Sequence, residues 1–68
     1  MSLTEILGRN VRSARHEKGL SQEQLAFEVE MKRSYLSDLE RGVRNPSIKA
    51  IERLATALGV DPAVLLQR

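Results

Sequence analysis

Ser21-Gln22-Glu23-Gln24-Leu25-Ala26-Phe27-Glu28-Val29-Glu30-Met31-Lys32-Arg33-Ser34-Tyr35-Leu36-Ser37-Asp38-Leu39-Glu40-Arg41-Gly42 is the stretch on which the fold turns. Ser21 followed three positions later by Gln24 is a capping-box pattern, in which each side chain takes a backbone amide that the helix start leaves free. Leu25, Ala26 and Val29 then supply one apolar stripe, so residues 21 to 28 read as a short helix. Only Val29-Glu30-Met31-Lys32 separates it from a second helix over residues 33 to 41, whose stripe is Leu36, Leu39 and Val43 and which Gly42 closes. Two short helices joined this closely bury both stripes by crossing steeply, which is the geometry of a helix-turn-helix pair.

The second of these helices carries the candidate chemistry. Its core side is Leu36, Leu39 and Glu40, and successive residues turn by roughly 100°, so Arg33, Ser34, Ser37, Asp38 and Arg41 emerge together on the other side. Arg33 can donate two hydrogen bonds to guanine O6 and N7, the serines can donate or accept, and Asp38 can accept from cytosine N4. The short serines matter as much as the arginine, because bulk there would hold the helix away from the groove floor. An isolated helix of this composition would read as an ordinary solvated face. The short helix before it and the basic turn after it make it a candidate base-reading face.

Outward from this pair, Leu3, Ile6 or Leu7, Val11 and Ala14 recur at helical spacing, so residues 3 to 18 form a first helix that Gly19 ends. Downstream, Arg44-Asn45-Pro46-Ser47 is a turn whose proline cannot continue a helix and whose serine can cap the next. That fourth helix, residues 47 to 58, is expected to bury Ile48, Ile51, Leu54, Ala55 and Leu58 before Gly59 stops it. Asp61-Pro62 opens a short fifth helix carrying Val64 and Leu65. The expected class is therefore all-α: a compact bundle of five helices in one domain, residues 1–68. No β-alternation or repeat appears.

The net charge of +2 says little, but its distribution says more. Residues 21 to 31 hold Glu23, Glu28 and Glu30 without a base, whereas residues 32 to 49 hold Lys32, Arg33, Arg41, Arg44 and Lys49 against Asp38 and Glu40 alone. A local phosphate-facing surface can thus exist on a nearly neutral chain. The absence of cysteine excludes a disulfide framework and a thiolate zinc site. The longest apolar runs, such as residues 63 to 66, are far too short to span a bilayer, and residues 1 to 5 carry no export pattern, so a cytoplasmic protein without a membrane partner is expected.

Ser21-Gln22-Glu23-Gln24-Leu25-Ala26, residues 33 to 42, Arg44-Asn45-Pro46-Ser47 and Leu54-Ala55-Thr56-Ala57-Leu58-Gly59-Val60 together resemble the phage repressor and Cro-like (Xre-type) helix-turn-helix family, over nearly the whole chain. The resemblance implies a lambda-repressor-like fold of five helices, a homodimer on a near-palindromic double-stranded DNA operator, and control of transcription. It implies that Gln22 binds a backbone phosphate and that Arg33, Ser34 and Ser37 face bases. It also points to Arg15 on the first helix as the cation that a carboxylate on the core side of the third, Glu40, requires. The family usually has glycine where this chain has Glu30 and a small capping residue where it has Lys32, so strain at Glu30 or an altered turn is expected. Small phage Cro proteins and restriction-modification controllers share this economy of size.

Other positions fill out the expected site. The amides beside Gln22 suit one phosphate, and Arg41, Arg44 and Asn45 suit another. Tyr35 can donate its hydroxyl to the DNA backbone or lie half in the core. Lys49 reads as a solvated helix residue, His16 as a surface residue, and Phe27 as edge packing or a partner contact. A single small domain buries too little DNA to be selective, so a two-fold dimer is expected, with Val60, Val64 and Leu66 at its interface and half-sites about one helical turn apart. With the chain ending at Arg68, regulation would follow protein concentration through the monomer–dimer equilibrium. No nucleophile–base pair, metal cluster or glycine-rich loop points to an enzyme, a cofactor or a small-molecule ligand. The alternative is an antitoxin-like or adaptor interaction module on the same fold.

Overall fold

Serines start three of the four α-helices. Ser2 precedes α1 (Leu3–Glu17), Ser21 precedes α2 (Gln22–Glu28) and Ser47 precedes α4 (Ile48–Leu58), and each serine side chain accepts a first-turn backbone amide. The remaining helix, α3 (Arg33–Glu40), starts at Lys32 with no side-chain cap. The computed structural model describes residues 1–68 and contains no strand. No helix is long and apolar enough to cross a membrane.

The helices also end alike. After α1, α3 and α4 the chain turns left-handed at Gly19, Gly42 and Gly59, and after α2 it does so at Glu30, with φ of 56°. There the Met31 amide reaches back to the Ala26 carbonyl at 2.9 Å and the Glu30 amide to Phe27 at 3.3 Å, the two-bond pattern of a Schellman motif. The chain has therefore kept the turn and accepted the strain at Glu30. At Gly42 a second constraint applies, because a Cβ there would lie 2.9 Å from the Cα of Glu5.

Every segment contributes to one core. Val11, Leu25, Leu36, Leu54 and Leu65 are fully excluded from solvent, and they come from α1, α2, α3, α4 and the last turn in that order. Gly8 sets the approach of α1 to α3: a Cβ at that position would fall 2.7 Å from the Glu40 carbonyl oxygen and nearer still to that of Leu39. The loss of one methyl group lets α1 lie against the C-terminal end of α3 and hold its orientation.

Three expectations need correction. The fifth helix is a 3-10 turn, Pro62–Leu66, so the architecture is four α-helices and one such turn. Pro62 has no amide, the Asp61 side chain takes the Ala63 amide, and the Val64 amide bonds to the Asp61 carbonyl at 2.9 Å; five residues close no longer ladder. Leu3 and Ile48 are 53% and 73% exposed, because each is the first residue of its helix and protrudes past the segment it would pack on. Val43 is 60% exposed, since the left-handed Gly42 rotates the chain out of the α3 stripe.

Candidate nucleic-acid interface

The orientation of α3 follows from its buried side. Leu36 and Leu39 are anchored in the core, which leaves Arg33 and Ser34 exposed and Ser37 and Asp38 half-buried on the opposite side. No segment of the chain's own backbone caps this face with a hydrogen bond, and Arg33, Ser34 and Ser37 spend no side-chain donor internally.

Asp38 is differently placed from a free acceptor. Its Oδ1 accepts from Arg41 Nη1 at 3.0 Å and its Oδ2 from Arg44 Nη2 at 3.4 Å. The Arg44 guanidinium also lies 5.2 Å from the centre of the Tyr35 ring, and that ring is half-buried. Tyr35, Asp38, Arg41 and Arg44 thus form one surface cluster that ties the basic turn to α3. Asn45 is exposed beyond it.

Beneath α3 lies a second polar cluster. Arg15 Nε donates to Glu40 Oε2 at 2.7 Å and Arg15 Nη2 to Glu40 Oε1 at 2.9 Å, a two-pronged pairing, while Nη1 donates to the Leu20 carbonyl at 3.0 Å. The side chains are 9% and 3% exposed, so the charges are shielded from water and matched to one another. Gln22 joins them, its Nε2 donating to Glu40 Oε1 at 3.2 Å. This chain of bonds fastens α1, the start of α2 and the end of α3 together, and it aims the Gln22 side chain along the α3 surface.

The positions expected at a dimer interface differ among themselves. Val64 is 40% exposed, whereas Val60 and Leu66 are half-buried against the chain's own core. Leu66 instead lines a shallow apolar groove with Leu3, Pro46 and Ile48. Phe27 is 85% exposed on α2.

Sequence reading overlooked three side chains. Asn10 Nδ2 binds the Leu65 carbonyl at 3.0 Å and the Gln67 carbonyl at 2.6 Å, pinning the last turn to α1. Arg53 donates to the Val29 carbonyl and joins α4 to the end of α2. Arg12 borders the polar cleft between α1, α2 and α3. Its signal was present in the sequence, since it stands one helical turn before Arg15 on the same side of α1.

Comparison with known proteins adds the following. Residues 11–65 match the model of a family described as helix-turn-helix. The chain is 50% identical over 62 residues to control protein C.BamHI of Bacillus amyloliquefaciens, covering 90% of this chain and 76% of that protein. Among solved structures, the restriction-modification controller protein C.AhdI from Aeromonas hydrophila matches with a TM-score of 0.87 at 47% identity, over 91% of this chain and 94% of that one. The restriction-modification controller protein C.Esp1396I, solved as a tetramer in complex with its natural 35 base-pair operator, matches with a TM-score of 0.84 at 34% identity, over 96% of this chain and 86% of that one.

Proposed function

The chain belongs to the helix-turn-helix family, and from that premise we propose that it is a sequence-specific, double-stranded-DNA-binding transcriptional regulator of the controller type, acting as a homodimer on a near-palindromic operator. One observation carries this reading: Leu36 and Leu39 are buried while Ser34, opposite them on α3, and Arg33, at the edge of that face, stand exposed. A helix so anchored can enter a major groove with its small polar side foremost.

The residues divide by reach. Arg33, Ser34 and Ser37 read base edges. Gln22, Tyr35, Arg41, Arg44 and Asn45 meet the phosphates on either side and set the register. Asp38 holds Arg41 and Arg44 in place until phosphates draw them off, after which it can accept from cytosine N4. The role asks for no cofactor, small-molecule ligand or catalytic group, and it places the protein in the cytoplasm, where DNA is. The whole of residues 1–68 acts as one DNA-binding unit.

Selection of bound duplexes from a random pool tests the proposal. The wild-type protein should enrich an inverted repeat with half-sites roughly 34–36 Å apart. Arg33→Ala should weaken that site by about 1–3 kcal/mol and lose the preference for one guanine in each half-site, with a thermal melt that does not move. No enrichment by the wild type, or the same motif selected by Arg33→Ala, would defeat it.

A further inference from the structure

Where α1, α2 and α3 meet, a cleft of about 140 Å³ is lined by Arg12, Arg15, Gln22, Ser37, Glu40 and Arg41, without one apolar side chain. Its single acid is already answered. Both Glu40 oxygens accept from Arg15, and Oε1 also accepts from Gln22, so the carboxylate neither repels an anion nor competes for donors. What remains is donor capacity. Arg12 is exposed and takes part in none of the three ion pairs of the molecule. Arg41 uses one nitrogen on Asp38 and keeps a side chain 67% exposed. The Ser37 hydroxyl has no partner within the chain, and Gln22 Nε2 has a second hydrogen to give.

We propose that this cleft binds one backbone phosphate of the operator in each protomer and that Arg12, on a helix outside the helix-turn-helix pair, is its principal cation. The inference rests on the DNA-binding reading above and extends it. α2 itself carries Glu23 and Glu28 and no basic residue, so positive charge beside its start comes only from α1 and α3. Arg12 supplies it from one wall and Arg41 from the other, around two neutral donors. Such a set recognises an oxyanion by charge-assisted hydrogen bonds. Ser37 and Arg41 belong at once to this cleft and to the outward side of α3, so a phosphate seated here is continuous with a strand whose bases α3 reads. Arg12 therefore adds affinity and register without adding sequence information.

The test compares wild type, Arg12→Ala and Arg12→Lys on the selected operator and on a scrambled duplex, by fluorescence anisotropy across a salt series. Arg12→Ala should weaken both duplexes by the same factor, about tenfold or more. The slope of log K against log salt should flatten by about 0.9 for each phosphate lost, about 1.8 for a dimer. Arg12→Lys should restore most of the slope, and all three proteins should melt together because Arg12 is exposed. Wild-type protein that shows no salt-dependent duplex binding overturns the function itself. Steep wild-type binding with an unchanged slope in Arg12→Ala overturns the Arg12 assignment alone, as does a loss confined to the operator. Inorganic phosphate binding that depends on Arg12, with duplex affinity unaffected by its removal, would make the cleft a free-anion site and equally overturn the proposal.

Discussion

Glu30 is a residue the backbone would rather replace. It sits left-handed at φ of 56°, in the place that glycine fills after the other three helices. An L-residue there loses roughly 1–2 kcal/mol, while glycine would cost the unfolded chain's entropy, about 0.5–1 kcal/mol. The difference favours Glu30→Gly by about 0.5 kcal/mol, which for a chain this short raises Tm by ~2–4 °C; a scanning calorimeter resolves that, and a lowered Tm would show the turn is unstrained. Glu5 makes the opposite kind of local statement. Its Oε1 accepts from the Ser2 amide at 2.8 Å and from the Ser2 hydroxyl at 3.0 Å. The Ser2 backbone bond above all, then the Ser2 hydroxyl, holds the Glu5 carboxyl below its ordinary value of 4.5. A carboxyl with a lowered folded pKa stabilises the fold above its unfolded value, and that contribution is lost as pH falls through the folded value. Ser2→Ala should therefore destabilise the protein at neutral pH, and the difference from wild type should narrow in acid to the loss of the Glu5 amide's cap bond to the Ser2 hydroxyl. Carboxyl carbon shifts followed by NMR should show Glu5 titrating below 4.5 in wild type and somewhat higher in the variant, which keeps the backbone bond and loses only the hydroxyl's.

At the scale of elements, the contact of α1 with α3 decides how the reading helix is presented. Gly8→Ala forces a methyl group against the Leu39 and Glu40 carbonyls, where backbone cannot give. The expected loss is about 1–3 kcal/mol, from overpacking, visible as a lower Tm; a melt equal to wild type would mean that α1 can slide. Glu40→Ala strikes the same joint by stranding the buried Arg15 guanidinium. Removing one partner of a shielded pair costs roughly 3–5 kcal/mol, out of the ~3–10 kcal/mol that a chain of this length holds in total. The variant should be largely unfolded in mild urea, and unchanged urea midpoints would rule the pair structurally idle. Much of this level was legible in the sequence. Ser2 aside, the caps Ser21, Ser47 and Asp61 and the stops Gly19, Gly42 and Gly59 could be read directly, because capping is local chemistry between residues a few positions apart. The Arg15–Glu40 joint needed a resemblance, since nothing local links residues so distant in the chain. Periodicity misplaced Leu3, Val43 and Ile48 because a helical stripe shows which side is apolar and not where the covering segment ends. The last turn reads from sequence only as a short fifth helix, because its cap and proline open either kind and its five-residue length decides for the 3-10 form. On α3, composition showed which side chains face outward, but the capture of Asp38 by Arg44 depends on how the basic turn folds back, and no spacing rule reports that.

The whole molecule is too small for its proposed task alone. Its longest extent is 27 Å, shorter than the roughly 34–36 Å between half-sites one helical turn apart, so a single copy cannot read both. Nor can overall charge draw it to DNA, since the net value is only +2; attraction has to come from the arginines gathered on one side. If the cleft shared by Arg12 and Arg41 holds one phosphate and Arg44 meets another in both protomers, log K should fall against log salt with a slope of about −3.6, roughly a hundredfold loss between ~50 and ~200 mM. The same count links affinity to assembly. Val64 is 40% exposed on the last turn, so a charge placed there meets water in the monomer and would be buried if that turn is where a second copy docks. Val64→Asp should leave the melt of dilute protein within about 0.5 kcal/mol of wild type, as surface changes do, yet sediment as a monomer at concentrations where wild type is a dimer. Its remaining DNA binding should carry about half the salt slope, because half the phosphates are then met. A variant that stays dimeric, or a monomer that keeps the full slope, would place the two-fold contact elsewhere on the surface.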